Sequence, residues 1–291
     1  MTRPHYRHQR TITRPVEVQG IGFVTGASVR LRFVPAPPWT GIVFVRTDLG
    51  PQAIIPATVD RVTGTNRRTT LGTAPVCVGL VEHVLAALAG LRIDNCYVEV
   101  NAAEPPGLDG SSQAFVEALN AVGIVTQPAR RAIWPVASRT MVSGNGATLT
   151  FHPHEHDHLR ISYLLDYGPR SPIVRQSHSV VVTPESFAIE LACCRTFLLE
   201  EEALELRRQG IGQNTRVTDL LVFGPRGPID NRLRFANEPA RHKVLDLIGD
   251  LALLGHDVRG HVVAYRSGHP LNVTLVSELV ARQSQNQARA A

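Results

Sequence analysis

GLVEHVLAALAGL (residues 79–91) followed by NCYVEVN (95–101) decides the fold. In the first segment apolar residues recur at helical spacing; in the second Cys96, Val98 and Val100 alternate with polar neighbours, as in a half-buried strand. Working outward, strand patterns come first: RTITRPVEVQG (10–20), SVRLRFVPA (28–36) and GIVFVRTDL (41–49). A second helix, SSQAFVEALNAVG (111–123), comes after the returning strand. The same plan then repeats. Strands at RAIWPVAS (131–138), ATLTFHP (147–153), LRISYLLDY (159–167) and HSVVVTP (178–184) precede helices at PESFAIELA (184–192), EEALELRRQG (201–210) and RHKVLDLIGD (241–250), with a late strand at GHVVAYR (260–266). Strands and helices segregated in this way predict an α+β protein of two related domains, each a mostly antiparallel sheet with helices on one face. The helical faces are expected to pack together with the active site between them. VTQPARRA (125–132) reads as the boundary, dividing the chain into residues 1–128 and 129–291.

Composition narrows the function classes. The chain has 291 residues, 43% of them hydrophobic and 19% charged, which suits a globular protein of this size. No run approaches the roughly 18 apolar residues of a membrane span, and MTRPHYRHQR carries no apolar segment behind its basic residues, so a cytoplasmic protein is expected. Cys77, Cys96, Cys193 and Cys194 form no CxxC pair and predict reduced thiols. A net charge of +5 favours anionic partners, but aromatics make up only 5% and are not interleaved with basic runs, so no nucleic-acid partner is expected.

Two motifs mislead. His154, Glu155 and His158 in HEHDH fit H-E-x-x-H, but that motif works on a helix; here Pro153 precedes it and strand patterns flank it, predicting a hairpin loop. GIGFVTG (20–26) lacks the G-x-G-x-x-G spacing and a following helix, so a tight strand turn is expected rather than a dinucleotide site.

Chemistry concentrates elsewhere. In RHKVLDLIGD, His242, Asp246 and Asp250 are spaced by four and share one stripe at about 100° per residue, opposite Val244, Leu245, Leu247 and Ile248. Such a stripe is either a solvated face or, if it lies at a domain interface, half of a site. Glu82 and His83 interrupt an otherwise apolar helix. A buried, hydrogen-bonded histidine is one account of His83; a metal ligand with a neighbouring general base is the other. His83, His242 and Asp246 together offer three N/O donors and an open fourth position, the arrangement of a catalytic zinc site. In AYRSGHPLN (264–272), His269 reads as an exposed turn residue suited to proton donation, with Asp250 to orient it.

VEHVLAALAGLRIDNCYVEV (81–100), EPPGLDGSSQAFVEAL (104–119), CRTF (194–197), RHKVLDLIGDLALLGH (241–256) and AYRSGHPLN, in this order, resemble the UDP-3-O-acyl-N-acetylglucosamine deacetylase family (LpxC), the zinc amidases of lipid A synthesis. The resemblance runs from about Gln9 to the C-terminal helix. It implies zinc on His83, His242 and Asp246, with iron(II) suited to the same donors, and Glu82 as general base. It further implies that Thr196 helps hold the oxyanion, that His269 supported by Asp250 protonates the departing amine, and that Lys243 meets the substrate's diphosphate. Tyr167, Phe197 and Leu71 complete the implied substrate contacts. The partner implied is a UDP-linked acylated amino sugar, handled by a monomer with at most transient contact with the inner membrane surface. The chain departs from the family pattern at Phe23 and Val24, where a histidine is customary, and in GIGQNTRVTDLLVF (210–223), including Asn214 and Thr215, near the expected acyl passage. Arg266 also stands where lysine is common.

Overall fold

The computed structural model describes residues 5–290. After β1 (His5–Ile12), the first half contains β2 (Val16–Ile21), β3 (Ser28–Pro35), β4 (Ile42–Arg46) and β5 (Ile54–Pro56). A small sheet of β6 (Val62–Gly64), β7 (Thr70–Thr73) and β8 (Val76–Val78) leads into α1 (Glu82–Gly90), then β9 (Cys96–Val100) and α2 (Gln113–Val122). The main sheet has the order β2-β3-β9-β4-β5, antiparallel except for β4 against β9. In β3, Val29, Leu31 and Phe33 are buried while Ser28, Arg30 and Arg32 are exposed, so one face takes the helices and the other meets water.

The second half comprises β10 (Ile124–Pro135), β11 (Thr140–Gly144), β12 (Ala147–His152), β13 (Leu159–Leu165) and β14 (Gln176–Val181). The short α3 (Pro184–Ser186) runs into a π-turn, followed by β15 (Phe197–Leu199), α4 (Glu200–Arg208), β16 (Leu221–Gly224), β17 (Gly227–Pro228), α5 (Glu238–Leu251), β18 (Asp257–Tyr265) and α6 (His269–Ala290). The architecture is α+β, as the segregated strands and helices predict.

Three features depart from the local sequence reading, each through a long-range pairing. Residues 125–132, where the boundary was expected, run as continuous strand within β10; Pro128 is accommodated because the β1 register jumps from His8↔Arg130 to Arg10↔Thr126, leaving it in a bulge. The same pairing places β1, the first strand of the chain, in the second half's sheet. Residues 153–158 do not close a hairpin, because β18 inserts between β12 and β13, antiparallel to one and parallel to the other. The glycine-bearing turn at 20–26 does join β2 to β3, and Glu104 ties it down by accepting from the amides of Val24 and Thr25.

The buried apolar residues of both halves form one continuous cluster. A charged clasp crosses it: Arg7 on β1 bonds Asp94 at 2.7 Å and also Asp257, and Arg131 on β10 lies 3.1 Å from Asp94 and 3.2 Å from Asp257. At the centre α1 packs directly on α5. A Cβ added at Gly249 would sit 2.1 Å from the Glu82 carbonyl oxygen, so the two helix backbones touch there and only glycine permits it. As a result α5 has no watered stripe: His242, Asp246 and Asp250 are as buried as Val244, Leu245 and Leu247. Among the described residues no helix is long and apolar enough to cross a membrane.

Candidate metal centre

The α1–α5 contact gathers the ionisable residues of both helices. His242 and Asp246 are one turn apart on α5, and His83 enters from the first turn of α1. His242 Nε2 lies 3.2 Å and His83 Nε2 3.6 Å from Asp246 Oδ1, with the two imidazole rings 5.0 Å apart and nearly perpendicular. His242 Nδ1 donates to the Cys194 carbonyl at 3.0 Å, which fixes the tautomer and leaves the Nε2 lone pair facing its neighbours. Burial lowers the His242 pKa and so favours the neutral, ligating form. Burial opposes ionisation of Asp246, but its interactions with His242 and with the Lys243 ammonium outweigh that and hold the carboxyl well below its ordinary range. Two imidazole nitrogens and one carboxylate oxygen converging within 4.8 Å fit a zinc or iron(II) ion with a coordination position to spare. Among the described residues this is the only such group.

The remaining titratable groups surround the three donors. Glu82, 2% exposed, accepts from the Thr69 amide at 3.1 Å, and burial raises its pKa. Across the cleft His269 Nε2 lies 3.8 Å from Glu82 and 3.9 Å from Asp246. His269 is not the exposed turn residue its Ser-Gly setting suggests. It is the first residue of α6 and 6% exposed, drawn inward because Leu275, Val276 and Leu279 of that helix are in the core. Its Nδ1 lies 2.8 Å from Asp250 Oδ2. Although burial alone would lower its pKa, the charges of Asp250 and Glu82 push it up to about 9, so the imidazole is protonated at neutral pH.

The residues implied in substrate contact fall into two groups. Lys243 reaches Asp246 Oδ2 at 2.8 Å and passes 5.5 Å over the Phe197 ring; Asp246 raises its pKa against the opposing effect of burial. Phe197 packs on His242 and on Tyr167, which is 43% exposed at the edge of the cleft. Thr196, its amide bonded to the Gly110 carbonyl, lines an apolar cavity of about 290 Å³ together with Leu198, Leu204, Leu220 and Val222. Phe23 and Val24 share that lining, so the departure from the customary histidine adds apolar surface. Leu71 stands apart: it faces inward on β7, is wholly buried in the core and presents no surface to a substrate.

Sequence reasoning missed two residues of the site. Asp250 also accepts from Asn272 Nδ2 at 2.9 Å and from the Thr69 hydroxyl at 2.6 Å. Asn272 follows His269 by three residues on α6, a helical spacing that could have flagged it once His269 was suspected. Thr69 offered no such signal, since it lies in the irregular segment between β6 and β7.

A family model described as UDP-3-O-acyl N-acetylglycosamine deacetylase (LpxC) matches residues 9–281. The chain belongs to this family. Curated members named UDP-3-O-acyl-N-acetylglucosamine deacetylase are similar over nearly their whole length. The protein of Solibacter usitatus is 38% identical over 96% of this chain and 93% of its own; that of Trichormus variabilis is 38% identical over 94% and 98%. The protein of Chlamydia caviae is 41% identical over 92% and 95%. In this LpxC chain the donors stand on the two helices whose backbones touch at Gly249, so the cluster exists only where the halves meet.

Proposed function

We propose that this chain is a zinc-dependent hydrolase that removes the N-acetyl group from UDP-3-O-(3-hydroxyacyl)-N-acetylglucosamine, releasing acetate, in cytoplasmic lipid A biosynthesis. The observation that carries this reading is the convergence of His83, His242 and Asp246 with the buried carboxyl group of Glu82 on one side and a protonated His269 on the other. A zinc ion held by those three donors would supply a Lewis acid for the amide carbonyl and acidify the attacking water.

The chain's own groups carry the proton chemistry. Glu82, made a stronger base by the burial that raises its pKa, accepts the proton that water gives up as it adds to the acetamide carbon. His269 and the Thr196 hydroxyl face the oxygen on which negative charge develops. His269 then gives its Nε2 proton to the departing nitrogen, so the C–N bond breaks to a free amine and acetate. Asp250 keeps the opposite ring nitrogen protonated and its plane fixed. Lys243 steadies Asp246 and directs its remaining donors to the diphosphate, while the apolar cavity beside Thr196 takes the acyl chain. The enzyme acts as a monomer that touches the membrane surface only transiently.

The test is metal analysis of the purified protein together with acetate release from the UDP-linked acyl sugar. About one zinc or iron per chain and measurable acetate are expected. Glu82→Gln should keep its metal and lose roughly 100- to 10,000-fold in turnover. A protein with neither metal nor acetate release overturns the reading.

A further inference from the structure

Thr69 has no accessible surface, and each of its polar groups is engaged by a different part of the site. Its amide donates to Glu82 Oε2 at 3.1 Å, and its carbonyl accepts from Val81, the residue before α1. Its hydroxyl donates to Asp250 Oδ1 at 2.6 Å. The direction of that last bond follows from proton counting. The hydroxyl lies 3.3 Å from His269 Nδ1, but that nitrogen already shares its proton with Asp250 Oδ2 at 2.8 Å. Asn272 Nδ2 donates to the same Oδ2 at 2.9 Å, so among the described residues Thr69 is the only donor to Oδ1. A buried carboxylate with one oxygen unpartnered is costly, and the group then rotates or takes up a proton. Either change would release the His269 ring.

We propose that Thr69 is a positioning residue that holds general base and general acid in register, its amide fixing Glu82 and its hydroxyl fixing His269 through Asp250. This rests on the deacetylase reading for its kinetic consequence. Thr69 hydrogen-bonds to none of the three metal donors, so its removal should disturb proton transfer and leave metal binding intact. Substrate binding should also survive, because Lys243 and Tyr167 lie on other elements and Thr69, with no accessible surface, is not itself part of the apolar cavity's lining.

The experiment compares wild type with Thr69→Val, Thr69→Ser, Asp250→Asn and the Thr69→Val/Asp250→Asn double variant. Measured are kcat, KM, bound metal and the proton resonance of His269 Nδ1–H. Loss of one hydrogen bond to a charged group predicts a fall in kcat of roughly 10- to 100-fold for Thr69→Val, with little change in KM and full metal content. Serine keeps the hydroxyl and should restore most of kcat. The double variant should be no slower than Asp250→Asn alone, because both changes cut the same link. The Nδ1–H resonance should move or broaden in the valine variant and stay put in the serine variant. Unchanged kcat in Thr69→Val, equal damage from serine and valine, or multiplying losses in the double variant would each overturn the proposal while the deacetylase reading stands. If the wild type releases no acetate, that reading falls, and the resonance decides alone: an undisturbed signal in Thr69→Val overturns the proposal.

Discussion

Two histidine clusters in this chain look alike by ring spacing and differ in everything else. In the loop at 153–158 the rings of His154, His156 and His158 are 4.8 to 5.4 Å apart; His83 and His242 at the helix crossing are 5.0 Å apart. The loop has more imidazoles and fits a metalloprotease pattern on paper. Yet His154 Nδ1 accepts from the His156 amide, so in the neutral ring the proton sits on Nε2 and blocks that nitrogen as a ligand. His242 has the reverse arrangement, with Nδ1 spent on the Cys194 carbonyl and Nε2 free to ligate. The helix crossing is also buried and includes a carboxylate, whereas the loop is largely exposed. A candidate metal site is therefore marked by tautomer anchoring and convergence under burial, and density of histidine in the sequence is a poor guide to it.

The sharpest way to break this comparison is to delete each cluster in turn. His242→Ala should empty the site and reduce acetate release by at least roughly 1,000-fold, as expected when Lewis-acid stabilisation of several kcal/mol is lost. Replacing His154, His156 and His158 together with alanine should leave metal content and turnover as in wild type, checked by elemental analysis and the acetate assay. Metal loss in the loop variant would reverse the assignment.

A smaller effect is expected at the contact that brings the helices together. Gly249→Ala forces a methyl group against the Glu82 carbonyl, so α1 must move or the helix pair must open. Overpacking of this kind costs about 1–3 kcal/mol, read as a lower midpoint in denaturant. Because His83 and Glu82 ride on α1, metal affinity should fall with stability. A variant that loses stability but keeps full affinity would show that the donors do not depend on this crossing.

A subtler test uses pH on the metal-free protein. The folded-state pKa of His269, about 9, lies above its ordinary 6.5, so protonated His269 favours the fold. That contribution is complete below about pH 6.5 and is lost as pH rises through about 9. Thermal melts from pH 6 to 10 should show a decline that His269→Gln flattens. The histidines of the loop, none of them buried, give the smallest signal: single alanine replacements there should shift stability by no more than roughly 0.5 kcal/mol.

What could be read without coordinates follows the same division. Period and spacing mark α5 and α1 as helices and single out the residues that stand at their crossing. They do not reveal that the polar stripe of α5 is itself buried, because its polar positions are as periodic as those of a solvated face. Segregated strands and helices indicate the fold class, but not that β18 slots between β12 and β13 or that β1 joins β10; such pairings link residues far apart and leave no local pattern. The burial of His269, and of Leu71 among the implied substrate contacts, escapes the sequence for a related reason. A short strand or a turn does not disclose which neighbour will cover it. Thr69 was invisible because a threonine in an irregular segment looks like any turn residue until its tertiary partners are known.

The pairing of β1 with β10 also sets a timetable for the growing chain. A ribosome makes residues 5–12 more than a hundred residues before 124–135, and the β18 strand beside β10 comes later still. Until then β1 carries an open row of backbone donors and acceptors, the kind of edge on which stray strands aggregate. Its residues HYRHQR, dense in basic side chains, make that waiting edge a poor template for unwanted pairing. Arg7 finds Asp257 only after 250 further residues have been made, so an early strand is fastened late.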